Sequence, residues 1–234
     1  MTAPIAVALD GMSEGAAIAL ARQLGDAVWG FKVNDLLLRA GTALIPRLRH
    51  YGHVFCDPKL HDIPHTVAHD VRALVTAGAD LITVHCSGGH AMLQAALEAA
   101  EGHARIIGVT VLTSLDAGQV AAVYDASTEE TVGRLARLAL HAGLDGLVCS
   151  PQELPLLTQV DADGRLLRVT PGIRPADYAL PDDQRRITTP AAALDGGSDL
   201  LVIGRPITGA DDPVAACAAL IASLSGHGHS RLTA

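Results

Sequence analysis

The sequence predicts an α/β fold closed into a single eight-stranded (β/α)8 TIM barrel. Three observations point there: short apolar runs recur eight times along 234 residues, Ala- and Leu-rich segments with helical spacing fall between them, and no composition break divides the chain.

The runs come in order. The first is "PIAVALD", Pro4 to Asp10, followed by the helical segment "SEGAAIALARQLG". "VWGFKVN" spans Val28 to Asn34, and "HVFCDPK" spans His53 to Lys59 ahead of "PHTVAHDVRALVTAG". "LITVHC" runs from Leu81 to Cys86 and precedes "HAMLQAALEAA"; "RIIGVTVLT" runs from Arg105 to Thr113 and is followed later by "TEETVGRLARLALHAG". The last three are "GLVCS" (Gly146 to Ser150), "LRVTPG" (Leu167 to Gly172) and "LLVIGR" (Leu200 to Arg205). Each is too continuously apolar for a strand with one wet face, which is the signature of strands buried on both sides of a parallel sheet. Several helical segments end at Gly, and Ser13-Glu14 and Thr128-Glu129-Glu130 mark helix starts. A doubly wound open sheet is the second reading. The repetition, and the absence of a Gly-x-Gly-x-x-Gly turn after the first run, favour closure. The expected organisation is one catalytic barrel over residues 1–225 and a frayed C-terminal tail, 226–234, whose His227 and His229 read as solvated.

Composition narrows the function. Apolar residues make up 49% and charged residues 18%, so the chain folds around a core; with aromatics at 3%, Ala, Val, Leu and Ile must fill it. A net charge of −8 with no basic run argues against nucleic-acid partners, though a few placed cations can still hold a small anion. The four cysteines, Cys56, Cys86, Cys149 and Cys217, form no C-x-x-C pair and read as buried free thiols. Neither a signal peptide nor a run long enough for a membrane span is evident, so a soluble cytoplasmic protein is expected.

In such a barrel, chemistry sits at the C-terminal ends of the strands. The polar residues there are Asp10, Lys32, Asp57, Lys59, His85, Thr113, Ser150, Thr170 and Arg205. Asp57 and Lys59 are two apart and share one side of the third strand. Lys32 ends the neighbouring strand and Asp62 lies just past the third, so two carboxylates and two ammoniums are expected in one neutral cluster. A salt-bridge network closing the barrel mouth is the alternative; buried ion pairs are a poor source of stability, so a site is the better explanation. Pro58 is anomalous, because proline inside a central strand removes a ladder hydrogen bond. On the last two strands, "TPGIR" supplies Gly172 and Arg174, and "VIGRPI" supplies Gly204 and Arg205. Glycines let backbone N–H groups approach an anion and Arg adds a fork of donors, at the recurrent phosphate site of this fold. Between them "PADYALPDDQRR", Pro175 to Arg186, suits a mobile lid with Gln184 as a donor.

Together these residues resemble the orotidine 5′-phosphate decarboxylase family. The resemblance covers nearly the whole chain and rests on "ALD", "FKV", "D-x-K-x-HDIP-x-T", "VH-x-x-GG", "VT-x-LTS", "TPGIR", "DQ-x-R-x-TP" and "V-x-GR-x-IT". It implies a homodimeric enzyme that converts orotidylate to uridylate, the last step of de novo UMP synthesis, without a cofactor or metal. By the same resemblance, Asp10 and Lys32 hold ribose hydroxyls, Asp57 sits beside the substrate carboxylate, and Lys59 gives a proton to C6. Asp62 and Thr66 reach into the other subunit's site, Thr113 borders the pyrimidine, and Arg174, Gln184, Gly204 and Arg205 grip the phosphate. Two positions depart from the family pattern. Pro58 stands where an aliphatic residue is usual, and His65 where a small polar one is. The competing expectations are a sugar-phosphate decarboxylase or aldolase of the same superfamily, which shares the Asp-x-Lys-x-x-Asp core, and an inactive phosphate-binding barrel.

Overall fold

The computed structural model describes residues 2–175, Tyr178, 187–224, Gly226 and Leu232. Eight parallel strands close on themselves in sequence order: β1 Ala3–Ala8, β2 Val28–Val33, β3 His53–Leu60, β4 Leu81–His85, β5 Arg105–Val109, β6 Gly146–Val148, β7 Leu167–Thr170 and β8 Leu200–Ile203. Closure is direct, with β1 pairing β2 on one side (Ala8 opposite Lys32) and β8 on the other (Ile5 opposite Leu201).

Both faces of the sheet are apolar, as the continuous runs require. Alternate residues on the other strands (Ala6, Phe55, Leu81, Ile107, Val169, Leu200) form one buried cluster, which the period of two places inside the barrel, and Trp29 joins it from the start of β2. The others, such as Val7, Phe31, Val54, Ile82 and Ile203, join a larger cluster with the inner faces of the helices. Leu232 packs against the inner cluster and borders a small cleft beside Trp29 and Leu81.

Several helices begin where a side chain can take up their first N–H groups. Ser13 caps Glu14–Leu24, and Ser127 with Glu130 forms a reciprocal capping box on Thr128–Ala142. Gly78 and Gly143 end their helices in the left-handed conformation, which costs glycine nothing. The fifth run was expected to stay extended to Thr113. The strand stops at Val109, and Thr113 lies in a turn ahead of the helix Ala117–Tyr124, which Asp116 and Gln119 cap reciprocally. Among the described residues, no helix is long and apolar enough to cross a membrane.

Candidate active site

A cavity of about 510 Å³ opens at the C-terminal ends of the strands, within the size range of small-molecule sites. Asp10, Lys32, Asp57, Lys59, Thr113, Gly172, Arg174, Gly204 and Arg205 all line it.

Four charged side chains form an alternating row along one wall. Lys32 Nζ donates to Asp10 Oδ2 at 2.5 Å and to Asp57 Oδ2 at 3.3 Å; Lys59 Nζ donates to the same Asp57 oxygen at 2.7 Å. The other Asp57 oxygen accepts the Thr83 hydroxyl at 2.9 Å. The side chains of Lys32 and Asp57 are 9% exposed, whereas that of Lys59 is 29% exposed and faces the cavity. Burial pushes the Asp57 carboxyl toward the neutral form, but the Lys32 and Lys59 charges outweigh it and hold its pKa below the usual carboxylate value. Burial likewise disfavours the Lys32 ammonium, and Asp57 and Asp10 together reverse the effect and raise its pKa. Both residues are therefore ionised at neutral pH.

The row is set up by the strands. Pairing of Ala8 with Lys32 brings Asp10, two residues past the end of β1, beside the Lys32 side chain. On β3 the ladder slips: Cys56 pairs with Ile82 but Leu60 pairs with Val84, so Asp57, Pro58 and Lys59 face the single residue Thr83. This bulge answers the Pro58 anomaly, since a bulged residue needs no ladder N–H. It also changes why Asp57 and Lys59 face one cavity. Lys59 sits at φ +52°, outside the extended conformation on which simple alternation depends.

The expected neutral cluster forms with a different fourth member. Asp62 is exposed, its Oδ1 accepts the Ile63 N–H at 2.6 Å, and it does not line its own chain's cavity; Asp10 takes the place expected for it. The chain turns away after β3 into the helix Pro64–Ala77, which carries Asp62 and half-buried Thr66 off the cavity wall. His85 ends β4 with its ring 5.3 Å from that of His61, and burial lowers its pKa, helped by His61 and Lys59. Ser150 and Thr170 do not line the cavity. Ser150 caps a short helical turn at Gln152, and Thr170 accepts the Ser198 hydroxyl at 2.8 Å in the sheet.

Opposite the row lies the second constellation. Gly172 takes φ +78°, a conformation that strains a residue with a Cβ. Arg174 is buried, donates to the Ile173 carbonyl at 2.8 Å and lies 5.5 Å over the Tyr178 ring. Gly204 and Arg205 open the short helix Arg205–Thr208 at the end of β8. The base of the loop between Ile173 and Thr188 is clamped by Arg174 N–H to Thr188 O (2.9 Å) and Thr188 N–H to Gly172 O (3.2 Å). Gln184 and the rest of the expected lid, apart from Pro175 and Tyr178, lie outside the described residues.

Thr83 is the site residue that sequence reasoning passed over. It looked like one more β-former in an apolar run. The only available signal was a hydroxyl on a strand buried on both faces, where each polar group needs a partner.

Fold and cavity together define an enzyme of the (β/α)8-barrel class, with its charged groups gathered at the strand ends. Within that class, the chain belongs to the Orotidine 5′-phosphate decarboxylase / HUMPS family, whose model matches residues 3–220. It is 49% identical to the orotidine 5′-phosphate decarboxylase of Pseudomonas paraeruginosa over 228 residues, covering 94% of this chain and 97% of the relative. It is also 49% identical to that of Halorhodospira halophila over 230 residues, covering 96% and 97%. The crystal structure of orotidine 5′-phosphate decarboxylase from Lactobacillus acidophilus superposes with a TM-score of 0.77 at 33% identity, covering 93% of this chain and 96% of that one.

Proposed function

We infer that this chain is a carboxy-lyase that converts orotidine 5′-phosphate to uridine 5′-phosphate. The observation that carries the reading is the Asp10–Lys32–Asp57–Lys59 row lining one wall of the cavity, in a chain 49% identical to decarboxylases of that name.

The chemistry follows from the charges. Breaking the bond between C6 and the carboxylate leaves the electron pair on C6, where the pyrimidine ring stabilises it poorly. The Lys59 ammonium, open to the cavity, meets that charge as it develops and then transfers a proton to C6. Carbon dioxide departs, and Lys59 regains its proton from solvent. Asp57 orients the ammonium, while Asp10 and Lys32 hold the ribose hydroxyls. Thr113 borders the base, and Arg174, Gln184, Gly204 and Arg205 hold the phosphate. One ammonium does not supply the barrier reduction of roughly 8–23 kcal/mol that enzymes achieve. Binding energy from the phosphate end must be realised in the transition state as well.

Two further features belong to this proposal. The enzyme is a homodimer in which Asp62 and Thr66 complete the partner's site; both stand off their own cavity, and neighbouring Ile63 is 66% exposed. It works in the cytoplasm, which suits four buried free thiols, with burial pushing Cys56, Cys86 and Cys149 up to about 12.

The superfamily alternative, a sugar-phosphate decarboxylase or aldolase, needs a metal-binding acid on the second strand. Lys32 holds that position as a charged ammonium, which has no lone pair to offer. The test is the absorbance change on mixing the protein with orotidylate, with and without EDTA. Turnover insensitive to EDTA is expected, and intact orotidylate after prolonged mixing would overturn the reading. Lys59→Ala should lower kcat by at least ~10²–10⁴, the worth of a positioned acid, while still binding UMP. A Lys59→Ala enzyme as fast as the parent removes the proton-donor assignment.

A further inference from the structure

We propose that Thr83, in the middle of β4, is a positioning residue that holds Asp57 and Lys59 in their reacting geometry. The proposal rests on the decarboxylase reading above. It is carried by the way one hydroxyl closes the bulge on β3.

Thr83 is fully buried and is the one β4 residue set against Asp57, Pro58 and Lys59. A bulge takes backbone groups out of the ladder, and a buried N–H without a partner is costly. Of the three residues, Pro58 has no N–H to lose. The Lys59 N–H is satisfied by Thr83 Oγ1 at 2.9 Å, a side-chain acceptor standing in for a ladder carbonyl. The same hydroxyl donates to Asp57 Oδ1, also at 2.9 Å. A hydroxyl can accept and donate at once, so it ties the backbone of Lys59 to the side chain of Asp57.

Both ties bear on the reacting atoms. Lys59 sits at φ +52°, a conformation that strains a residue with a Cβ. The bond to its N–H anchors the peptide plane from which that residue departs, and so the backbone that carries the ammonium into the cavity. At Asp57 the tie divides the two oxygens. With Oδ1 held by Thr83, Oδ2 is left to face both Lys32 and Lys59. Valine has nearly the same shape as threonine and would fill the same volume in the sheet, so a packing role and a positioning role are separable.

The experiment compares Thr83→Val and Thr83→Ser with the parent, measuring kcat, KM and the pH dependence of kcat on orotidylate. Crystal structures of all three proteins with UMP accompany the kinetics. Thr83→Val should lower kcat by roughly 10- to 150-fold, the range for losing one hydrogen bond to a charged group, with KM changed by less than about threefold. The acid limb of its kcat profile should move to higher pH, because Asp57 loses a donor that favours its ionised form. Thr83→Ser keeps the hydroxyl and should stay within about fivefold of the parent. The proposal is overturned if the valine enzyme keeps its kcat, if the loss lies in KM alone, or if serine is as impaired as valine. If the parent itself leaves orotidylate untouched, the decarboxylase reading fails separately and the crystal structures decide on Thr83. Displacement of Lys59 from Asp57 in the valine variant supports the positioning role, and an unchanged pair refutes it. Thr83→Cys, similar in size and weaker in both bonds, replaces the valine variant should that one not fold.

Discussion

Replacing Asp57 with Asn removes the negative charge shared by two ammoniums and keeps the side-chain shape. At the observed separations of 2.7 Å to Lys59 and 3.3 Å to Lys32, Coulomb's law with an effective dielectric near 20 gives gross attractions of about 6 and about 5 kcal/mol. The cost of burying the carboxylate offsets much of this, and Lys59 is partly wet. Removing one partner from a buried pair costs about 3–5 kcal/mol, here because two ammoniums are left with the single Asp10 carboxylate; for a chain of this size that is a Tm drop of roughly 6–20 °C. The amide can still accept the Thr83 hydroxyl through its oxygen, but its NH2 group then points at two ammoniums. The effect has a pH signature. The Asp57 carboxyl is depressed below 3.8 in the folded protein, so it adds stability above the unfolded carboxylate value and loses that contribution as pH falls through the folded one. The deficit of Asp57→Asn should therefore be full at pH 7 and shrink below about pH 4. Urea unfolding followed by circular dichroism across that range measures it. A variant within about 1 kcal/mol of the parent at pH 7, or a deficit that persists unchanged at the acid end, would refute the reasoning.

Arg205→Ala should lower kcat as well as raise KM for orotidylate, because phosphate binding energy is spent in the transition state; a change confined to KM would argue that the phosphate end only binds. Mixing Lys59→Ala chains with Asp62→Ala chains should restore activity through dimers holding one intact site. Exchanged mixtures that stay as inactive as their parents would show that each chain relies on its own Asp62.

How much of this could be read from the residues depended on whether the signal was local. The strands were legible because burial on both faces leaves continuous apolar runs, and two helix starts because Ser13-Glu14 and Thr128-Glu129-Glu130 stand at them, although the cap of the second is Ser127, one residue earlier. The row of charges was half legible. Asp57 and Lys59 were placed together by strand alternation, but a two-residue slip of the ladder is what brings both to the cavity. Asp62 was drawn into the cluster by closeness along the chain, and the turn into the helix Pro64–Ala77 takes it away. Asp10, far from Asp57 in sequence, joins because β1 pairs with β2 and β2 with β3. Contacts made across the ladder have no local pattern to betray them, which is also why Thr83 was missed.

The anomaly at Pro58 and the silence at Thr83 are two sides of one device. A regular strand would point Asp57 and Lys59 to the same face but space them by the pleat, about two residues of rise apart. The bulge instead folds three β3 residues over one β4 residue, and the two side chains close to 2.7 Å. That contraction strains Lys59 and strips its N–H of a ladder partner. Proline is harmless at the one position where no donor is wanted, and a threonine hydroxyl supplies the missing acceptor at the other. The barrel can sustain such a defect because the strands continue undisturbed beneath it, with Phe55 and Leu81 packed in the interior cluster. Strain of this kind persists only where surrounding structure over-determines it, and here that support lies directly under the charged row.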